Sequence, residues 1–181
     1  MGDTQRGTVL VKGDIKISTI EHAMAALYAN GIDNCLIQLD GPEMPILDGS
    51  AMPFIKEIQK VGLQEQSAKK DYYVVKQKME IKGENGEHLI LIPDERFCVN
   101  AQISFDSQIL DNQFANLEDL QDFAEEIASA RTFVFVREIG PLLNLGLIKG
   151  GDLDNAIVIY EKELPQERYD KLADTLGIPR M

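Results

Sequence analysis

Glu21 and His22 stand side by side in this sequence. An imidazole next to a carboxylate is one way to assemble a zinc ligand with its general base. The base must reach a water held by the neighbouring metal, so the chemistry favours adjacent residues. The plainer reading is a helix-capping glutamate beside a histidine satisfied in a core. The residues alone leave both readings open.

Whatever the pair does, a helix must hold it. Ser18 and Glu21 have the spacing of a capping box, which predicts a helix opening at Ser18 and running to about Asn30. Asn30-Gly31 then supplies the stop. At about 100° per residue, Ile20, Ala23, Met24 and Leu27 share one face. His22 points elsewhere, over Ala25, Ala26 and Ala29, a strip small enough for another element to come close.

Bulk properties narrow the function classes. The chain has 181 residues, 44% hydrophobic, enough to bury a core as one domain or two small ones. A net charge of −12 and a pI near 4.6 argue against a general nucleic-acid binder. Cys35 and Cys98 lie far apart in expected strands, so a disulfide framework is not expected and a reducing cytoplasm is. No apolar run approaches the ~20 residues of a membrane span. No signal peptide is expected at the start of the chain.

In order, Val9–Val11 and Ile15–Ile17 read as two strands split by Lys12-Gly13-Asp14, too small a sheet to stand without the following helix. Ile32–Leu39 reads as a third strand, ended by Asp40-Gly41-Pro42. Pro45–Ser50 is a tight turn from which Ser50 caps a second helix. Phe54, Ile55, Ile58 and Val61 stripe that helix, and Gly62 ends it. Residues 64–70 are the best linker candidate. Tyr72–Lys82, His88–Ile92 and Phe97–Phe105 read as an antiparallel meander. Asn116 is a plausible cap for a helix marked by Leu117, Leu120, Phe123, Ala124 and Ile127. The run Arg131–Val136, a short helix with Ile139, Leu142 and Leu143, and Ala156–Tyr160 predict a compact βαβ crossover. Leu164–Met181 is polar and helical in character. Two units, meeting near residue 66, make the class α+β.

Five ordered pieces carry a resemblance: Ile17–His22, Gly31–Asn34, Pro45–Ala51, Ala130–Phe133, and Gly146-Leu147 with Gly150-Gly151. Together they resemble the UDP-3-O-acyl-N-acetylglucosamine deacetylases, zinc enzymes of lipid A biosynthesis. The resemblance implies ribosomal protein S5 domain 2-like halves, with the active site between two layers. Residues 1–66 would be the C-terminal part of deacetylase domain I. Residues 67–181 would be the N-terminal part of domain II, with a βαβ insert at about 130–160. The implied reaction is hydrolysis of the acetamide of a UDP-linked acylated glucosamine, the committed step of that pathway.

The resemblance makes His22 a zinc ligand, Glu21 the base that activates the water, and Thr132 the hydroxyl that steadies the oxyanion. It gives Phe133, Val136, Ile139, Ile148, Gly151, Leu153, Ala156 and Val158 to an apolar passage for the acyl chain, and Phe105 to the uracil ring. By residue type alone, Thr132 is equally an ordinary strand residue and Phe105 a core aromatic. Asp48 is expected to fix local structure, and Arg6-Gly7-Thr8 matches a segment near the metal. Gly150-Gly151 is no phosphate loop, for it lacks the Lys-Ser/Thr of one.

The match also departs from the family. A His-Lys-x-x-Asp helix supplies the family's other two ligands and a Gly-His pair assists catalysis. Neither occurs here, where the two histidines are His22 and His88. The sequence therefore reads as an interior fragment with Met1-Gly2 as added residues, inactive alone, with uncovered edges that favour self-association. In some relatives the frame runs on into a hydroxyacyl-carrier-protein dehydratase. The competing reading is a non-catalytic acyl- or nucleotide-binding module. The joint presence of Glu21, His22 and Thr132 argues against it, since a module without metal has no use for that trio.

Overall fold

A computed structural model describes residues 6–105, 107, 109–146, 148, 150–162, 165–177 and 179–180. Met1-Gly2 and Leu147, used in the sequence reading, lie outside these residues, as do Leu164 and Met181 at the ends of the last segment.

Strands β1 (Leu10–Lys12) and β2 (Ile15–Ile17) form the expected hairpin, with Leu10 opposite Ile17 and Gly13 in the left-handed region at the turn. Helix α1 (Glu21–Ala29) follows, then α2 (Met52–Val61). Asn30-Gly31 ends α1 as predicted: Gly31 takes φ 68°, and the Asn30 side chain donates to the Ala26 carbonyl at 2.8 Å. The N-cap of α2 is Ala51 and not the expected Ser50, which stands one residue earlier with its Oγ accepting from Met52 N at 3.2 Å; Pro53 lies in the first turn.

The core sits where the small face of α1 meets α2. Ala26, Ala51, Ile55 and Ala128 are buried together, backed by Phe123 and Ala124. Ile55 is 1% exposed, a burial worth about 2 kcal/mol. A second cluster joins Ile20, Ala23 and Met44 to Ile17 of β2, which is how the first hairpin leans on the helix. Met24 departs from the expected face and is 47% exposed, because α2 docks on the Ala23–Ala26 side. Val61 likewise projects into solvent at the end of α2.

Residues 32–39 form no strand. They find no ladder partner among the described residues, and an extended segment without one is not a strand. Their exposed side is tied to residues 66–70 instead. Asn34 donates to Gln66, and Lys70 pairs with Asp33 at 2.6 Å while lying over the rings of Tyr28 and Tyr72. That hydrogen bond to Asp33 holds the Lys70 ammonium above the ordinary lysine value.

The expected meander resolves into two separate hairpins. β3 (Met79–Lys82) pairs with β4 (His88–Leu91), and β5 (Val99–Ser104) pairs with β6 (Asn112–Leu117). Residues 72–78 stay irregular. Asn116 and Leu117 therefore belong to a strand, not to a helix start. The turn that follows is capped by Asp119, whose carboxylate accepts from Gln121 N, and α3 is only Phe123–Glu126. Both faces of β3–β4 are open to solvent.

The crossover is as predicted. β7 (Phe133–Phe135), α4 (Val136–Asn144) and β8 (Ile157–Ile159) form a βαβ unit with the strands parallel, Phe133 opposite Ile157. α5 (Gln166–Leu176) closes the chain. The architecture is α+β. No helix among the described residues is long and apolar enough to cross a membrane. Cys35 and Cys98 are free thiols.

Candidate active site

Glu21 is the first residue of α1, and its carboxylate does not close a capping box. Ser18 is instead paired with the segment after residue 40: its N–H donates to Pro42 O at 2.9 Å and its carbonyl accepts from Met44 N at 3.0 Å. Thr19 takes φ 57°, an outlier for a β-branched residue, held by that pairing and by its hydroxyl on Glu43 at 2.5 Å. Freed from Ser18, the Glu21 carboxylate turns to the other strand of chain and accepts from Thr8 N at 3.0 Å through Oε2. Its Oε1 lies over Gly7, where a Cβ would stand 3.4 Å away, and accepts no hydrogen bond from a described residue. His22 is half-buried beside it.

Arg6 extends this contact to the βαβ unit. Its guanidinium pairs at 2.5 Å with Glu138, whose other oxygen accepts from Phe135 N at the start of α4. Half of a capping box is thus formed there by a side chain that also pairs with Arg6.

Thr132 is placed by a second junction. Its N–H donates to Gly49 O at 2.8 Å, and its carbonyl accepts from Ile157 N at 2.9 Å. The Asp48–Ser50 turn that receives it is internally locked. Asp48 Oδ1 accepts from Ser50 N and from Ser50 Oγ, and Ser50 is fully buried. Asp48 thus fixes local structure, as its position in a turn implies. Gly49 is required twice: its φ is +80°, and a Cβ would lie 2.1 Å from Asn155 O.

Two residues here were not singled out from the sequence. Arg131 donates through Nε to Asp48 O at 2.7 Å and through Nη2 to Leu153 O at 3.1 Å. Asn155, buried, donates to Gly150 O and accepts from Asp152 N, closing the loop 150–155 on itself. Gly150-Gly151-Asp152-Leu153-Asp154-Asn155 carries an Asx-turn composition that flags the loop. Nothing local flags Arg131, whose partners are 83 and 22 residues away.

The expected passage residues surround the βαβ unit unevenly. Ile139 is buried; Val136, Ile148, Ala156 and Val158 are half-buried; Phe133, Gly151 and Leu153 are exposed. Phe105 packs edge-on against Phe133 at 5.4 Å and Phe135 at 5.9 Å, so one aromatic cluster joins the second hairpin to β7. Among the described residues no hydrogen bond links Thr132 to Glu21 or His22. His88 stands apart on β4, paired with Glu80. An open groove of about 390 Å³ lies elsewhere, along the outer face of α1 between Met24, Tyr28 and Cys35.

The family profile described as UDP-3-O-acyl N-acetylglycosamine deacetylase matches residues 1–174. The chain belongs to this family. Among curated relatives, the deacetylase-family chain is 62% identical over 99% of its length to a protein named bifunctional enzyme LpxC/FabZ from Bacteroides thetaiotaomicron, covering 39% of that protein. It is 60% identical to a protein of the same name from Porphyromonas gingivalis, covering 38% of it. It is 39% identical to a UDP-3-O-acyl-N-acetylglucosamine deacetylase from Teredinibacter turnerae, covering 62% of that protein. The deacetylase-family chain thus spans about two fifths of the first two relatives. Among its described residues no three His, Cys, Asp or Glu side chains gather as a metal site.

Proposed function

We propose that this chain forms part of a cytoplasmic enzyme that hydrolyses the acetamide of UDP-3-O-(3-hydroxyacyl)-N-acetylglucosamine, the committed step of lipid A biosynthesis. The observation that carries the reading is the family match over residues 1–174, on a chain where a carboxylate and an imidazole open the same helix. The identity of 62% to a bifunctional relative favours the fused form of the enzyme. In this reading residues 1–66 belong to the first deacetylase domain and 67–181 to the second, each a ribosomal protein S5 domain 2-like half.

The chain's own residues divide the work. Glu21, oriented by Thr8 N, presents Oε1, which no described residue hydrogen-bonds, to take a proton from the attacking water. Thr132, set by Gly49 and Ile157, donates to the oxyanion that forms at the carbonyl. Phe105 stacks on the uracil ring, while Phe133, Val136, Ile139, Ile148, Gly151, Leu153, Ala156 and Val158 accompany the acyl chain, at about 0.8 kcal/mol per buried CH₂.

Zinc is the metal this family implies, with His22 as one ligand. This chain does not fit a complete site, since catalytic zinc takes three protein ligands and no such group assembles among the described residues. Calorimetric titration of the 181-residue chain with zinc is therefore expected to find no stoichiometric submicromolar site. Such a site would overturn the division of ligands. The functional reading itself is tested by acetate release from the UDP-linked substrate by the intact protein carrying this segment.

The two hairpins with solvent on their strand faces support the self-association proposed for this chain. Light scattering over a range of concentrations is expected to show mass rising above 20.2 kDa, and a constant monomer mass would count against it.

A further inference from the structure

We propose that Arg131 is a positioning residue that sets the Thr132 hydroxyl and the mouth of the acyl passage as one piece. The proposal rests on the functional reading above, since it takes Thr132 as the oxyanion donor.

Three segments far apart in sequence meet at this point: the 48–50 turn, the start of β7, and the loop 150–155. Arg131 is the one side chain among the described residues that hydrogen-bonds both of the others, reaching Asp48 O at 2.7 Å and Leu153 O at 3.1 Å. The backbone repeats the grip one residue on, where Thr132 N donates to Gly49 O. Residues 131 and 132 thus take successive carbonyls of the same turn. On the far side, Asn155 spends its side chain inside the loop, with Nδ2 on Gly150 O and Oδ1 accepting from Asp152 N. Asp152 in turn accepts from the N–H groups of Asp154 and Asn155. A loop closed by four such bonds moves as a block, so a tether at Leu153 O locates all of it.

That block carries Gly151 and Leu153, which begin the passage, and it leads into Ala156 and β8. A guanidinium suits the task because its planar fork holds two acceptors at a fixed angle, and a lysine ammonium does not. Loss of the fork frees the loop from the turn, while loss of the Asp48 bond alone lets Thr132 drift from the reacting carbonyl. A drift of about 1 Å is enough to cost about 10²-fold in rate.

The experiment compares Arg131→Ala and Arg131→Lys with the parent in the intact protein, using UDP-linked substrates of short and long acyl chain. Hydrogen exchange on the 181-residue chain is followed in parallel. Arg131→Ala is expected to lower kcat about 10²-fold, to raise KM for the long-chain substrate alone, and to speed exchange at the Thr132 and Ile157 amides. Arg131→Lys, able to reach one carbonyl, is expected to recover part of kcat but not the chain-length preference. Unchanged kcat with unchanged protection at both amides overturns the proposal. So does a uniform loss at every chain length with protection lost throughout the chain, which marks a merely structural residue. If the unsubstituted protein releases no acetate, the functional reading fails, and the exchange data still decide whether Arg131 ties the junction together.

Discussion

Gly49→Ala is expected to destabilise the chain by about 2 kcal/mol, a fall of roughly 6 °C in Tm. Two effects add. At φ +80° any Cβ costs about 1 kcal/mol against the left-handed backbone. The new methyl would also stand 2.1 Å from Asn155 O and 3.0 Å from its carbonyl carbon, which are backbone atoms of a loop that cannot swing aside. The turn must retreat, and with it goes the bond from Thr132 N to Gly49 O, worth about 1 kcal/mol. Gly13→Ala is the control. It shares a positive φ but has nothing within 4 Å, so only the backbone penalty remains. Thermal unfolding of the two variants separates the terms, and equal shifts would mean that the 48–50 turn does not seat against residue 155.

Glu21→Gln is expected to leave the fold intact and to remove about 10²–10⁴ of the deacetylase rate in the intact protein. The amide oxygen can still accept from Thr8 N, so the anchor seen at 3.0 Å survives while the capacity to take a proton does not. The loss should fall on kcat, with KM held, because the carboxylate acts on the water rather than on substrate binding. Circular dichroism and Tm matching the parent would show that chemistry alone has changed. Activity within about threefold of the parent would remove Glu21 from the role of base and return it to an anchor for residues 6–8. Glu21→Ala is less informative, since it strips the Thr8 contact as well.

Much of the local architecture was legible from residue types because its causes are local. Asn30-Gly31 ends α1 through a left-handed glycine and a side-chain bond four residues back. Pro53 stands in the first turn of α2, and Gly62 stops it, by the same short-range geometry. The βαβ unit reads directly from two β-rich runs around a helix that must bury Ile139 and Leu142. The adjacency of Glu21 and His22, the family pattern, and the shortage of histidines are likewise properties of the sequence alone.

Tertiary structure decided what depends on partners distant in the chain. A strand exists only with a neighbour, so residues 32–39 are irregular despite their composition, and β5 takes β6 instead of β4. Met24 faces solvent because α2 chose the smaller alanine face, and Glu21 answers to Thr8 because Pro42 and Met44 had claimed Ser18. Arg131 shows the limit most plainly: its charge and position are printed in the sequence, but its two acceptors are backbone carbonyls, which every residue has. Only the approach of the 48–50 turn to the loop 150–155 singles out the carbonyls of Asp48 and Leu153. Side-chain chemistry is written residue by residue, whereas the meeting of two backbones is settled by packing of the whole.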